Sequence, residues 1–206
     1  MDLIHVDAEL LVVNKPSGLL SVPGRGADKQ DCAVARLQAL YPEALTVHRL
    51  DMATSGLLLF ARGPAAQRAL SLDFAERRVA KRYVAVLAGH LEGPLAAREE
   101  DWAEIDLPLS ADWPNRPLQK VDPAGGKPSR TRWRVLAHEP GRTRVELEPL
   151  TGRSHQLRVH MLALGHPIIG DALYAPPAAQ GPRLLLHACH LALPARGLAL
   201  DCPPEF

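Results

Sequence analysis

Residues 48–62 read His-Arg-Leu-Asp-Met-Ala-Thr-Ser-Gly-Leu-Leu-Leu-Phe-Ala-Arg. The stretch changes character halfway. Asp51 stands beside two basic side chains, His48 and Arg49, and small residues follow from Ala53 to Gly56. Leu57 to Ala61 is then an apolar run, short and preceded by glycine, which is the pattern of a buried strand. The carboxylate therefore sits on a loop that feeds directly into rigid core. Scaffolds place reactive groups on such loops. The plain alternative is an acid that caps a turn or pairs with Arg49 on the surface, where ion pairs contribute little.

Outward from this loop the chain divides without a clear linker. Leu10 to Val13 reads as a strand ending at the Asn14-Lys15-Pro16-Ser17-Gly18 turn. Asp31 to Tyr41 has helical spacing, with Ala33, Leu37 and Leu40 on one side and Pro42 beyond. Ala65 to Phe74 reads as a second helix, with Pro64 at a favourable first-turn position. Tyr83 to Ala88 alternates as a strand. Residues 89–130 are rich in Pro, Gly and charge, and are expected to hold little regular structure. Thr131 to Leu136 and Thr143 to Leu147 alternate and are joined through Glu139-Pro140-Gly141-Arg142, which reads as a hairpin. Ser154 to Leu164 reads as a helix capped by Ser154 and closed by Gly165. Leu184 to Leu193 is a late strand. Strands and helices do not alternate regularly, which favours the α+β class over a doubly wound sheet.

A chain of 206 residues can bury a sizeable core in a single domain, residues 1–206. Aromatic residues are only 4%, so aliphatic side chains must dominate that core. No apolar stretch approaches the roughly 20 residues of a membrane span. The segment Met1-Asp2-Leu3-Ile4-His5 lacks the pattern of a secretory signal. Three widely spaced cysteines, Cys32, Cys189 and Cys202, suggest free thiols in a reducing cytoplasm.

The net charge of +1 is no argument for a nucleic-acid partner, but its distribution is uneven. From Trp113 to His160 the basic residues are Arg116, Lys120, Lys127, Arg130, Arg132, Arg134, Arg142, Arg144, Arg153 and Arg158. Only Asp122, Glu139, Glu146 and Glu148 oppose them. Glu92 to Asp112 is acidic, with Glu99-Glu100-Asp101 at its centre. This division predicts a positive face that meets phosphates. An incidental cluster on a solvated surface is the competing reading.

The histidines His155, His160, His166, His187 and His190 raise the question of a metal. Their spacings match no closed zinc site and no cysteine pair accompanies them, so no metal is expected. His187, beside Leu184-Leu185-Leu186, reads as a hydrogen-bonded core histidine.

Several motifs agree on one family. His48-Arg49-Leu50-Asp51 followed by Thr54-Ser55-Gly56 resembles the signature of the RluA-type pseudouridine synthases. Asn14 to Leu19 resembles that family's N-terminal motif, Lys81-Arg82-Tyr83-Val84-Ala85 its tyrosine motif, and Thr151 to His160 its third motif. His166 to Asp171 and Leu185 to Ala188 resemble the later ones. Asp112-Trp113-Pro114-Asn115-Arg116-Pro117 points to the RluA subgroup, whose members modify both large-subunit ribosomal RNA and tRNA. The resemblance spans nearly the whole chain in the expected order and is weakest over residues 89–105 and at the end.

The resemblance implies an α+β catalytic core with a mixed, largely antiparallel sheet, flanking helices and a central cleft. It implies isomerisation of uridine to pseudouridine, with Asp51 as the catalytic residue. The bond from ribose C1′ to base N1 breaks, the base turns, and a bond from C1′ to C5 forms. No atoms are lost and no electrons are transferred, so no cofactor is required, and no phosphate-binding loop or G-x-G-x-x-G is present. Asp51 can attack C1′ or C6, or take a ribose proton, and can also remove the proton from C5. A buried carboxylate stays ionised only with a partner. The resemblance names Arg158 for this, with Arg153 as rival; on a helix over 154–164, Arg158 would share a face with Ser154. It implies that Tyr83 stacks on the target base and that Arg49 fills the place of the flipped nucleotide.

The implied partners are rRNA and tRNA stem-loops, with no membrane, no obligate protein partner and a monomeric, cytoplasmic enzyme. Many relatives carry an S4-type RNA-binding domain before the catalytic core, and no room for one precedes Asn14, so selection would rest on the core and on RNA shape. Two other classes compete. A carboxylate-dependent nucleoside or glycoside hydrolase would need a second acid opposite Asp51, and none stands out. A non-catalytic RNA-binding protein of this fold would be expected to have lost Asp51 or Tyr83, and both are present.

Overall fold

The computed structural model describes all 206 residues. In chain order the elements are β1 (Asp2–Val6), β2 (Leu10–Lys15), α1 (Ala33–Gln38), β3 (Ala44–Thr46), β4 (Ser55–Arg62), α2 (Gly63–Ala75) and β5 (Ala80–Ala88). There follow β6 (Ala103–Asp106), β7 (Leu109–Ala111), β8 (Gln119–Val121), β9 (Arg130–Glu139), β10 (Arg142–Pro149), α3 (Gln156–Ala163), β11 (Leu186–Leu193) and β12 (Leu198–Asp201). The class is α+β, as expected. The chain resolves into two compact units: residues 1–81 with 187–205, and residues 82–186 with Phe206.

In the first unit β4 is central. β2 runs antiparallel along one side, from Leu10 opposite Ala61 to Lys15 opposite Gly56. β1 lies outside β2, and β3 pairs with the far end of β4. β11 joins β4 in parallel, at Ser55 and Gly56, and β12 folds back on β11. β2 and β4 are buried on both faces, which is why they read as unbroken apolar runs instead of alternating ones. Leu10, Val12, Leu57, Leu59 and Ala61 pack on one face with Leu70 of α2, Val79, Leu191 and Leu193. Pro64 lies in the first turn of α2, where its missing N–H has no role.

The second unit is an antiparallel sheet in the order β5-β10-β9-β6. The β9–β10 hairpin turns at Pro140-Gly141, and Gly141 takes the positive φ of +70° that the tight reversal needs. Residues 89–130 depart from expectation. They contain β6 and a two-stranded ribbon, β7 with β8, whose tip carries a 3-10 turn over Trp113–Asn115. These strands are three or four residues long and owe their form to pairing partners, so they leave no periodic signal. α3 also differs at its start. Ser154 lies outside the helix and gives no cap; His155 is the boundary residue, in left-handed conformation at φ 54°. No side chain caps the helix; Gln156 Oε1 instead ties down the segment before it, accepting from the Arg153 N–H and the Thr151 hydroxyl at 3.0 and 2.8 Å. Gly165, at φ +81°, follows the helix end as read.

Candidate active site

Asp51 is half-buried on the loop between β3 and β4. The backbone on either side of it is held by the last residue of β2 and the segment that follows. Leu50 donates its N–H to Ser21 Oγ at 3.1 Å, and the same hydroxyl donates to Leu50 O at 2.7 Å. Met52 O accepts from Lys15 Nζ at 3.1 Å and from the Gly18 N–H at 2.9 Å. Ala53 O accepts from Ser17 Oγ at 2.7 Å, and the Thr54 N–H closes a turn on Asp51 O at 3.1 Å. Lys15 is fully buried, and its ammonium also donates to Pro16 O and Leu19 O. Three backbone acceptors match the three donors of an ammonium, which offsets much of the cost of burying that group. Asp51 therefore stands on a clamped loop.

His48 braces the same loop. Its Nε2 accepts the N–H of Leu59 in β4 at 2.9 Å, and its ring stacks on Phe74 of α2 at 4.4 Å. An accepting Nε2 carries no proton, so the ring is neutral with hydrogen on Nδ1. Burial, aided by the nearby Lys81 cation, pushes the imidazole down to about 3. Burial likewise lowers the Lys81 ammonium. Arg49, next along, is exposed and makes no ion pair or hydrogen bond. The alternative of an Arg49–Asp51 surface pair is thus not what the structure contains.

Gly56 closes the motif. At φ +109° it sits in β4 where β11 runs closest, and a Cβ there would lie 2.3 Å from Ala188 O. Only glycine permits this approach. Beside it, Ser55 Oγ meets His187 Nδ1 at 2.9 Å while His187 Nε2 meets Cys202 O at 2.9 Å. A carbonyl only accepts, so Nε2 holds the proton and Ser55 donates to Nδ1. His187 is the hydrogen-bonded core histidine expected from sequence.

In the second unit, Tyr83 lies on β5 opposite Leu147 of β10 and is half-buried. Arg158 is on α3 and is buried, not a surface residue of an amphipathic helix. Its Nε and Nη2 both reach Asp171 at 2.7 Å. The rival, Arg153, is exposed and its Nε donates to Pro128 O at 3.3 Å. The sequence alone assigns no role to Asp171 or Tyr174: Asp171 ends the motif His166 to Asp171, and Tyr174 lies three residues beyond it in a stretch without periodicity.

The expected positive face is not formed by the arginines of β9 and β10. Arg130 pairs with Glu104, Arg132 with Glu148 at 3.0 Å, Arg134 with Glu146 at 2.6 Å, and Arg142 and Arg144 with Glu139 at 2.6 and 3.2 Å. Arg82 and Arg134 also meet Glu99 of the acidic stretch, and Trp102 lies against Arg132 and Arg134. Strand register places the acidic and basic stretches side by side, which counting along the chain does not reveal. Arg116, Lys127 and Arg153 remain exposed and form no ion pair. Trp113 at the ribbon tip is 67% exposed with the Arg116 guanidinium 3.2 Å from its ring.

The family described as RNA pseudouridylate synthase matches residues 9–163, and the chain belongs to it. Among curated proteins it is 50% identical to the dual-specificity RNA pseudouridine synthase RluA of Pasteurella multocida, over 100% of this chain and 94% of that one. It is 51% identical to the protein of the same name from Escherichia coli K12, over 99% of this chain and 93% of that one. Among solved structures it resembles human RNA pseudouridylate synthase domain containing 1, at 31% identity and TM-score 0.77, covering 99% of this chain and 83% of that one. Human RNA pseudouridylate synthase domain containing 4 matches at 26% identity and TM-score 0.78, covering 100% and 89%. No helix is long and apolar enough to cross a membrane.

Proposed function

We propose that this pseudouridine synthase modifies uridines in stem-loops of both large-subunit rRNA and tRNA, with Asp51 as the catalytic carboxylate. The observation that carries the dual substrate is identity of about half over essentially the full length to relatives named for dual specificity. Support for Asp51 comes from its place in the His-Arg-Leu-Asp motif and from the clamp on its neighbours' backbone. A reaction centred on one carboxylate gains most from an acid that does not wander, because positioning alone can supply several kcal/mol. Arg49 is assigned to the space left by the flipped nucleotide, and its exposed guanidinium, free of ion pairs, suits that task. Tyr83 is assigned to stacking on the target base, and Arg158 to serving as the guanidinium partner of the catalytic acid. Residues 1–206 would act as one catalytic domain, monomeric and cytoplasmic.

The test is incubation with bulk rRNA and tRNA from a strain lacking the activity, followed by mapping of new pseudouridines. Wild type should give new sites in both RNA classes. Asp51→Asn, which keeps size and removes charge, should give none while still binding RNA. Release of free uracil would replace this reading with the hydrolase. New sites in only one RNA class would remove the dual specificity.

A further inference from the structure

The guanidinium of Arg158 is gripped along one edge and backed on one face, all within the second unit. Its Nε and Nη2 donate to Oδ2 and Oδ1 of Asp171, both at 2.7 Å. The two side chains are 5% and 0% exposed. The ring of Tyr174 lies 5.0 Å from the guanidinium carbon. Asp171 is itself fixed, because Oδ1 also accepts the N–H groups of Leu173 and Tyr174 at 3.0 and 3.2 Å. The Tyr174 hydroxyl accepts the Gln119 N–H of β8 at 2.8 Å and meets His155 Nδ1 at 2.7 Å. Carboxylate and ring are therefore both anchored before they touch the arginine.

Stability alone does not explain such an arrangement. A buried ion pair is a weak source of stability, and apolar residues of similar volume commonly serve as well. What a bidentate carboxylate adds is direction. It fixes the plane of a guanidinium, which a hydrophobic neighbour cannot do, and which a lysine at position 158 could not exploit. A ring against the face removes the remaining freedom to tilt.

We propose that Asp171, backed by Tyr174, is a positioning residue that fixes the Arg158 guanidinium for its part in the reaction. This rests on reading Arg158 as an active-site residue. Asp171 does not act on the nucleotide directly, so its influence should pass entirely through Arg158.

The experiment compares wild type, Asp171→Asn, Arg158→Ala and the double variant on one RNA stem-loop, measuring the single-turnover rate and RNA affinity. Asp171→Asn should slow the rate roughly ten- to a hundredfold, the scale of a small misplacement, with affinity within about twofold. The same change in the Arg158→Ala background should cost nothing further, because the two residues act as one unit. Asp171→Glu, which restores charge and both oxygens, should recover part of the rate. A lowered thermal midpoint with an unchanged rate would overturn the proposal and leave Asp171 a structural residue. Equal losses in both backgrounds would also overturn it. If Arg158→Ala alone is as fast as wild type, the reading of Arg158 itself has failed, and the proposal with it. Should Asp171→Asn not fold, Tyr174→Leu keeps the ion pair and removes the backing. It should slow the rate severalfold at unchanged affinity, and not at all once Arg158 is alanine; an unchanged rate in wild-type background would overturn the proposal.

Discussion

The hydroxyl of Ser21 holds both the N–H and the C=O of Leu50, the residue immediately before Asp51. A side chain thus takes the place of a neighbouring strand at the residue that leads into Asp51. Ser21→Ala would leave two buried backbone groups unpaired, at about 1–3 kcal/mol each. Urea unfolding should show a loss on that scale, and single-turnover rates should fall while RNA affinity is kept. A stability loss without any rate loss would separate the clamp from the chemistry.

Arg49→Lys separates flipping from simple charge. Lysine keeps the cation and loses the planar group that stacks. The change should slow turnover strongly on a structured stem-loop and much less on a short unstructured RNA, whose base is already unstacked. Equal rates for wild type and variant on both substrates would reject the flipping role.

His48 predicts a pH dependence of stability. Its folded pKa of about 3 lies below the ordinary value of 6.5. Between those values the unfolded chain binds the extra proton, so stability falls as pH falls, by up to about 1.4 kcal/mol per pH unit from this group. Above pH 6.5 the group contributes no slope. Unfolding of wild type and His48→Gln compared across the acidic range should show a smaller decline in the variant. Parallel declines would mean that the ring protonates in the folded protein.

Salt dependence should follow the cations without ion pairs. Alanine at Arg116, Lys127 or Arg153 should reduce the salt slope of RNA binding by about one where that residue meets a phosphate. Arg130, Arg132 and Arg142, each held by a glutamate, should change it little. The reverse ranking would restore the face of β9 and β10 as the RNA surface.

What could be read in the sequence was local. The junction from Asp51 into β4 shows as small residues running into an unbroken apolar stretch, while the helix opened by Pro64 and the β9–β10 hairpin carry their own spacing and turn residues. The clamp was not legible, because Ser21 and Leu50 are 29 positions apart and a lone serine has no pattern. Nor was the Asp171–Arg158 pair, formed across 13 positions between a helix and an irregular loop. The basic stretch is hard to read for a related reason: the order of charges along the chain does not show which of them strand register sets against glutamates.

Gly56 has a consequence for how the enzyme comes into being. It opens the space through which β11 passes, and Ser55 beside it bonds to His187, which follows 132 positions later. A nascent chain emerges from its amino end, and domains tend to fold as units in that order. The strand leading out of the Asp51 loop must therefore wait with one flank uncovered until β11 has been made, 132 positions later. A product truncated before residue 187 would carry every residue assigned to the chemistry and lack the strand that flanks β4. A working catalyst would therefore form only once the chain had been made past residue 187.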